Sequence, residues 1–214
     1  MNKPITIQNH NFTLHPSGAM YWHEREMLLI SDVHLGKVSH FRKHGSAVPK
    51  KAIAKNFEKL QDVIQSFAPK VICFLGDLFH SNLNTEWNLF EQWTSTQTAA
   101  IVLVVGNHDI ISPDRYEELG VKLVSEWVLD GFLLTHIPEE RDALYNFSGH
   151  IHPGIKLRGI GRQFLKLPAF FQRKCQLILP AFGEFTGNYI MTPDKDDVVF
   201  AVTPEEVILV NTQE

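Results

Sequence analysis

Five short apolar runs along the chain each end in a polar cluster: MLLISDVH from Met27, VICFLGDLFH from Val71, IVLVVGNHD from Ile101, FLLTH from Phe132 and LYNFSGHIH from Leu144. Short runs rich in Val, Ile, Leu and Phe read as buried strands. Polar groups just past their carboxyl ends match the place where open α/β sheets bind ligands. The pattern therefore predicts one site assembled from many strand ends. Between the first two runs, Ile53, Phe57, Leu60, Ile64 and Phe67 recur at helical steps, which predicts an amphipathic helix lying on a sheet. Leu83, Trp87, Phe90 and Thr94 predict a second helix, with Trp87 and Trp93 suited better to core packing than to stacking on bases. After residue 120 the pattern shortens into strands joined by Gly and Pro: VKLVSEWVLD, GFLLTH, IKLRGIG, CQLILP, DDVVFAV and EVILVN. Helices are expected to dominate the first half and strands the second, within one sheet-based domain over residues 1–214.

Composition narrows the class. A hydrophobic share of 44% and a charged share of 21% are those of a globular protein, and no stretch approaches the roughly 20 apolar residues of a membrane span. The opening MNKPITIQNHNFTLHP lacks the apolar centre of a secretory signal, so a cytoplasmic location is expected. Cys73 and Cys175 both sit in apolar runs and read as small buried hydrophobes in a reducing compartment. A net charge of −4 argues against coating nucleic acid by bulk electrostatics. The distribution says more. Of 20 Lys and Arg, 12 fall in two acid-free segments, residues 33–57 with Lys37, Arg42, Lys43, Lys50, Lys51 and Lys55, and residues 143–183 with Lys156, Arg158, Arg162, Lys166, Arg173 and Lys174. Each segment adjoins or includes a histidine-rich cluster, which points to an anionic substrate.

The clusters supply Asp32 and His34, Asp77 and His80, Asn107 and His108, His136, and His150 and His152, six of the 11 histidines. Carboxylate, imidazole and amide oxygen without thiolate suit a divalent ion such as manganese, iron or zinc. Each cluster alone has a bland explanation as a turn or a satisfied core histidine; five behind five strand-like runs do not. Glycine precedes Asp77, Asn107 and His150, as expected where the backbone must turn sharply. About eight donors exceed one tetrahedral site and suit two ions bridged by a carboxylate. In SGHIHPG, His150 and His152 stand two apart, so on an extended chain both imidazoles reach a common side. Such ions lower the pKa of a bound water to roughly 7, which yields a nucleophile at neutral pH.

Taken in order, SDVHLGK, GDLFH, GNHD, TH and GHIH resemble the five motifs of the calcineurin-like metallophosphoesterase superfamily. SDVHLGKVSHFRKHGSAVP, GDLFHSNLNTEW, SGHIHPG and LPAFGEFTG further resemble the small DNA-ligase-associated phosphoesterases of the PdeM type, over residues 26 to 188. The resemblance implies an α/β (α+β) fold, a four-layer αββα sandwich of two β-sheets flanked by helices. It implies that Asp32, His34, Asp77 and His152 bind one metal ion and Asp77, Asn107, His136 and His150 a second, with Asp77 as bridge. It further implies that His108 stabilises the phosphoryl group and protonates the leaving oxygen, with Asp109 orienting it. GDLFH also occurs in SbcD-type repair nucleases, so His80 is assigned to a substrate contact or to a supporting place behind the ligands. Lys37 and Arg42 are placed to grip flanking phosphates, while His40 and His44 read as surface residues and AFGEFTGN as a wall of the cleft. The implied activity is a dinuclear metal-dependent phosphodiesterase, with manganese favoured, acting on DNA in repair alongside a ligase and a helicase. A small-molecule phosphodiesterase or phosphatase would use the same centre, and a non-catalytic scaffold on this fold should lack the ligands that this chain retains.

Overall fold

The computed structural model describes residues 1–37, 51–80, 85–159, 161 and 163–210. The chain opens with an antiparallel meander, β1 (Lys3–Ile7), β2 (His10–Leu14) and β3 (Met20–Trp22), that feeds β4 (Met27–Ile30). From there the sheet turns parallel through β5 (Val71–Leu75), β6 (Ala100–Val104) and β7 (Val121–Val124), giving seven described strands in sequence order. The crossovers run through α1 (Lys51–Phe67), α2 (Thr85–Ser95) and α3 (Pro113–Glu117). β4 is buried throughout, and β5 and β6 are buried except at their first residues. Parallel strands covered on both faces need such unbroken apolar runs.

The second sheet begins with β8 (Trp127–Leu129), β9 (Phe132–Leu134) and β10 (Tyr145–Ser148). It continues with β11 (Pro153–Arg158), β12 (Phe164–Gln172), β13 (Gln176–Ile178), β14 (Tyr189–Ile190), β15 (Val198–Val202) and β16 (Val207–Val210). β9 and β13 both pair in parallel with β10. Between the sheets lies an apolar core in which Phe12, Trp22, Met27 and Leu29 meet Phe132, Phe147, Phe170 and Phe200. Phe132 and Phe147 stack there with ring centroids 5.0 Å apart.

Alternation along β4 sends Leu28 and Ile30 to the opposite face, where they join Leu60 and Val63 of α1, Trp87, Phe90 and Trp93 of α2 and Tyr116 of α3. Burying each such side chain is worth about 1.5–3 kcal/mol, enough to hold short helices that would not persist alone. All three described α-helices thus pack on the first sheet. The outward face of the second carries a smaller cluster of Ile155, Ala169, Phe171, Ile178, Val199 and Ala201. Two mixed sheets with helices form the expected α+β sandwich; among the described residues the helical layer covers the first sheet only, not the outer face of the second.

Several features differ from the sequence reading. The N-terminal meander puts strands into the half expected to be helical, and β12, at nine residues the longest described strand, replaces an expected break between IKLRGIG and CQLILP. Cys73 is fully buried, but Cys175, at the turn between β12 and β13, is only half-buried. Leu83 lies outside the described residues. No described helix is long and apolar enough to cross a membrane.

Candidate metal centre

All five apolar runs end at the same place. Carboxyl ends of β4, β5 and β6 deliver Asp32 and His34, Asp77, and Asn107 from the first sheet, while those of β9 and β10 deliver His136 and then His150 and His152 from the second. Asp32, His34, His152, Asp77, His136 and His150 form two groups whose ligand atoms lie within 4.8 Å of one another, Asp32 with His34 and His152, and Asp77 with His136 and His150.

In the first group, Nε2 of His34 is 3.2 Å from Nε2 of His152, which is itself 3.2 Å from Oδ1 of Asp32. Asp77 Oδ2 stands 3.9 Å from His34 Nε2. In the second, His136 Nε2 lies 3.0 Å from Asn107 Oδ1, 3.0 Å from His150 Nδ1 and 3.3 Å from Asp77 Oδ1. The two carboxylate oxygens of Asp77 therefore face different groups. His136 Nδ1 is 3.0 Å from the Leu75 carbonyl. That bond takes the ring proton and leaves the Nε2 lone pair pointing inward among other acceptors.

Acceptors crowded at about 3 Å have the spacing of neighbouring ligands around an octahedral ion held at roughly 2.1 Å. Asp32 Oδ1 is buried and has no hydrogen-bond partner. A buried carboxylate oxygen without a donor is costly unless a cation meets it. The donor set thus fits two divalent ions.

The local backbone is bent to achieve this. Asp32, His34, Asp77, His150 and His152 all have left-handed φ, between 50° and 67°. Such conformations cost about 1–3 kcal/mol each for non-glycine residues and persist where the surroundings over-determine them. The surroundings do so here: Asp32 N–H donates to the Gly76 carbonyl, His34 N–H to the Asp77 carbonyl and Gly149 N–H to the His136 carbonyl. His150 N–H donates across the sandwich to Asp32 Oδ2 at 2.9 Å, and His108 N–H to Asp77 Oδ1 at 2.9 Å. Of the three glycines preceding Asp77, Asn107 and His150, only Gly76 has positive φ. A Cβ on Gly106 would overlap Asp77 Oδ1, and one on Gly149 would overlap Asp32 Oδ2, so these two glycines provide room for carboxylates.

Burial, then repulsion from Lys37 and the neighbouring imidazoles, pushes His34 down to about 2. Burial and His136 likewise lower His150 against the opposing pull of Asp32 and Asp77. Both imidazoles are therefore neutral near pH 7, the state in which a ring nitrogen can bind a metal.

His108 is exposed at the mouth, with its ring centroid 5.9 Å from that of His34 and 5.1 Å from that of His80. His80, half-buried, stands 5.4 Å from His34. Lys37 is half-buried and close enough to Asp32 and Asp77 for their charges to oppose the lowering of its pKa by burial. Among the described residues no hydrogen bond joins Asp109 to the His108 ring. Asp109 Oδ1 accepts the Phe79 N–H at 3.1 Å and its Oδ2 the Gly106 N–H at 2.9 Å, so it ties the turn carrying Asn107 and His108 to the loop after β5. Burial raises its pKa and those two N–H groups oppose the rise. Arg42, His40 and His44 lie outside the described residues.

Sequence reasoning missed the supports. Glu86, fully buried in α2, accepts the Gly36 N–H at 2.6 Å and so anchors the chain behind His34. The stretch after β13, assigned only to a cleft wall, braces the ligands. Phe182 N–H donates to the Ser31 carbonyl, Gly183 N–H to that of Asp32 and Tyr189 N–H to that of His152. Lys59 of α1 holds this stretch from behind, donating to the Phe182 carbonyl at 2.7 Å and pairing with Glu184 at 3.5 Å. A lysine on the flank of an apolar helix stripe carries no local signal of such a role.

Residues 26–168 match the model of the calcineurin-like phosphoesterase family. The chain is similar to the crystal structure of Pseudomonas putida nuclease MPE, with a TM-score of 0.83 and 30% identity over 98% of this chain and 100% of that one. Comparison with curated proteins gives no match.

Proposed function

Because the chain belongs to the calcineurin-like phosphoesterase family, we propose that it is a dinuclear phosphodiesterase acting on nucleic acid, with manganese the favoured ion. The observation that carries this reading is the convergence of seven side chains from two sheets into two neighbouring donor groups, with Asp77 Oδ1 3.3 Å from His136 and Asp77 Oδ2 3.9 Å from His34. Asp32, His34, Asp77 and His152 would hold one ion, and Asp77, Asn107, His136 and His150 the other. Bound there, two divalent ions supply Lewis-acid polarisation of a phosphoryl oxygen and a water acidic enough to act as nucleophile near pH 7.

The chain's own residues do the remaining work. His108, exposed beside the donor groups, is suited to hold a phosphoryl oxygen and pass a proton to the departing oxygen. Lys37 adds positive charge beside a centre whose two carboxylates do not neutralise two divalent ions. His80, beside both His34 and His108, suits either a substrate contact or a hydrogen bond that steadies them. Asp109 acts through the backbone, fixing the turn that presents His108. A phosphate contact by Arg42 rests on the sequence alone.

Nucleic acid is favoured over a small diester by the two acid-free basic segments and by the similarity to a protein described as a nuclease. An endonuclease in DNA repair, working beside a ligase and helicase, is the role to which the motif resemblance points. Purified protein with manganese should open circular single-stranded DNA, which only internal cleavage can do, and hydrolyse a bis-aryl phosphate. His108→Ala should keep the metal content of the wild type while hydrolysis of both falls roughly 10²–10⁴-fold. Unchanged turnover would remove His108 from proton transfer, and activity confined to an aryl monophosphate would refute the diesterase.

A further inference from the structure

β11 starts at Pro153, one residue beyond His152, and leads away from the metal centre into a hairpin with β12. The register sets Gly154 opposite Pro168, Lys156 opposite Lys166 and Arg158 opposite Phe164. Directly opposed residues of an antiparallel pair share a face. One face therefore carries Lys156, Arg158, Phe164 and Lys166, and the other Ile155, Leu157, Leu165 and Leu167. The apolar face continues into Ala169 and Phe171 of the outer cluster, with Ile155, Leu157 and Leu167 joining it.

Alternation along β12 puts Phe164 and Lys166 on the same side as Phe170, which packs between the sheets. The basic face is thus the inner face of the second sheet, carried past the sandwich into solvent. Lys156, Arg158 and Lys166 are exposed, and none forms an ion pair among the described residues. Phe164 is 55% exposed, with the Lys156 Nζ 3.9 Å from its ring centroid. Two lysines directly opposite one another destabilise a strand pair, and an exposed phenylalanine gains nothing from water. An anionic ligand with flat apolar faces would reverse both penalties. Along β11, Lys156 and Arg158 stand four and six residues beyond His152, roughly 13 and 20 Å at strand spacing.

We propose that this face of the β11–β12 hairpin binds the single-stranded nucleic acid flanking the scissile phosphate, Lys156, Arg158 and Lys166 on phosphates and Phe164 stacked on a base. This rests on the nucleic-acid reading above. Aromatic stacking tolerates any base, and the cations track the backbone, so the arm gives affinity without sequence preference.

The test is fluorescence anisotropy with labelled oligothymidylate in chelator, where no cleavage occurs, over a salt series. The triple variant K156A/R158A/K166A should bind more weakly, and its slope of log affinity on log salt should fall by about 2, at roughly 0.7 per phosphate contact. Phe164→Ala should weaken binding roughly five-fold or more. With manganese restored, both variants should hydrolyse a small aryl diester like the wild type while KM for an oligonucleotide rises. Wild-type affinity in both variants would overturn the arm alone, since the wild type would still bind and cleave. A wild type that hydrolyses the aryl diester but neither binds nor cleaves oligonucleotides would overturn the nucleic-acid reading as well. Loss in the triple variant with none in Phe164→Ala, and equal affinity for dextran sulfate, would mark a general polyanion surface and refute the stacking site.

Discussion

At the scale of the residue, the centre depends on absent atoms as much as on present ones. Gly149 has no positive φ, so alanine suits its backbone, yet a Cβ there would overlap Asp32 Oδ2 and the side chain of Ser31. Gly149→Ala should displace Asp32 and cost about 1–3 kcal/mol of stability through overpacking. Bound metal should fall from two ions towards one, because Asp32 serves one group only. Metal analysis after desalting checks this, and retention of both ions would show that Asp32 is not held against Gly149. The residues that converge here were legible in the sequence because each follows an apolar run. The duty of Asp109 was not, since the amides of Gly106 and Phe79 that occupy its carboxylate belong to two different loops.

Whole elements show where local pattern fails. β12 contains Pro168, a residue that usually argues against a strand interior because it brings no N–H to the ladder. Its alternation of Lys and Pro with Phe and Leu hides a strand that is core at one end and solvent-exposed at the other. The stretch from Pro180 to Tyr189 has no regular structure until its last residue, yet it fixes the backbones of Ser31, Asp32 and His152. Its hold on α1 comes through Lys59 and through Asn56, whose Oδ1 accepts the Glu184 N–H at 3.1 Å. Lys59→Met should leave the Phe182 carbonyl without its donor and lower stability by about 1–3 kcal/mol, with weaker metal binding. Lys59→Arg should restore part of both. Equal metal affinity in the wild type and Lys59→Met, by calorimetric titration, would confine Lys59 to a structural role.

For the molecule as a whole, the metal centre lies across the joint between the sheets: Asp32, His34, Asp77 and Asn107 come from the first, and His136, His150 and His152 from the second. Its titration links site chemistry to folding. His34 and His150 have lowered pKa values, as does half-buried His15, chiefly through burial. Above the ordinary histidine value of 6.5 these groups are neutral whether folded or unfolded and contribute nothing to pH dependence. As pH falls below 6.5 the unfolded chain takes up protons that the folded protein resists, so stability is lost, for His34 down to about pH 2. Chelator-treated protein should therefore melt at progressively lower temperature from pH 7 to pH 5. A Tm that is flat or rises over that interval would contradict the burial of these imidazoles as neutral groups.

The sequence by itself determined the buried strands and the amphipathic helices, and it picked out the polar residues that the structure brings together at the strand ends. Those follow from local periodicity and from the chemistry of the residue next to each apolar run. Only the tertiary structure decided which donors face one another, and that five of them stand in left-handed backbone. It also decided that Asp109, Glu86 and Lys59 hold loops in place and that the cations of β11 and β12 share one face. These are relations between residues far apart in the chain, set by strand register and by how two sheets pack, and no short window of sequence contains both partners.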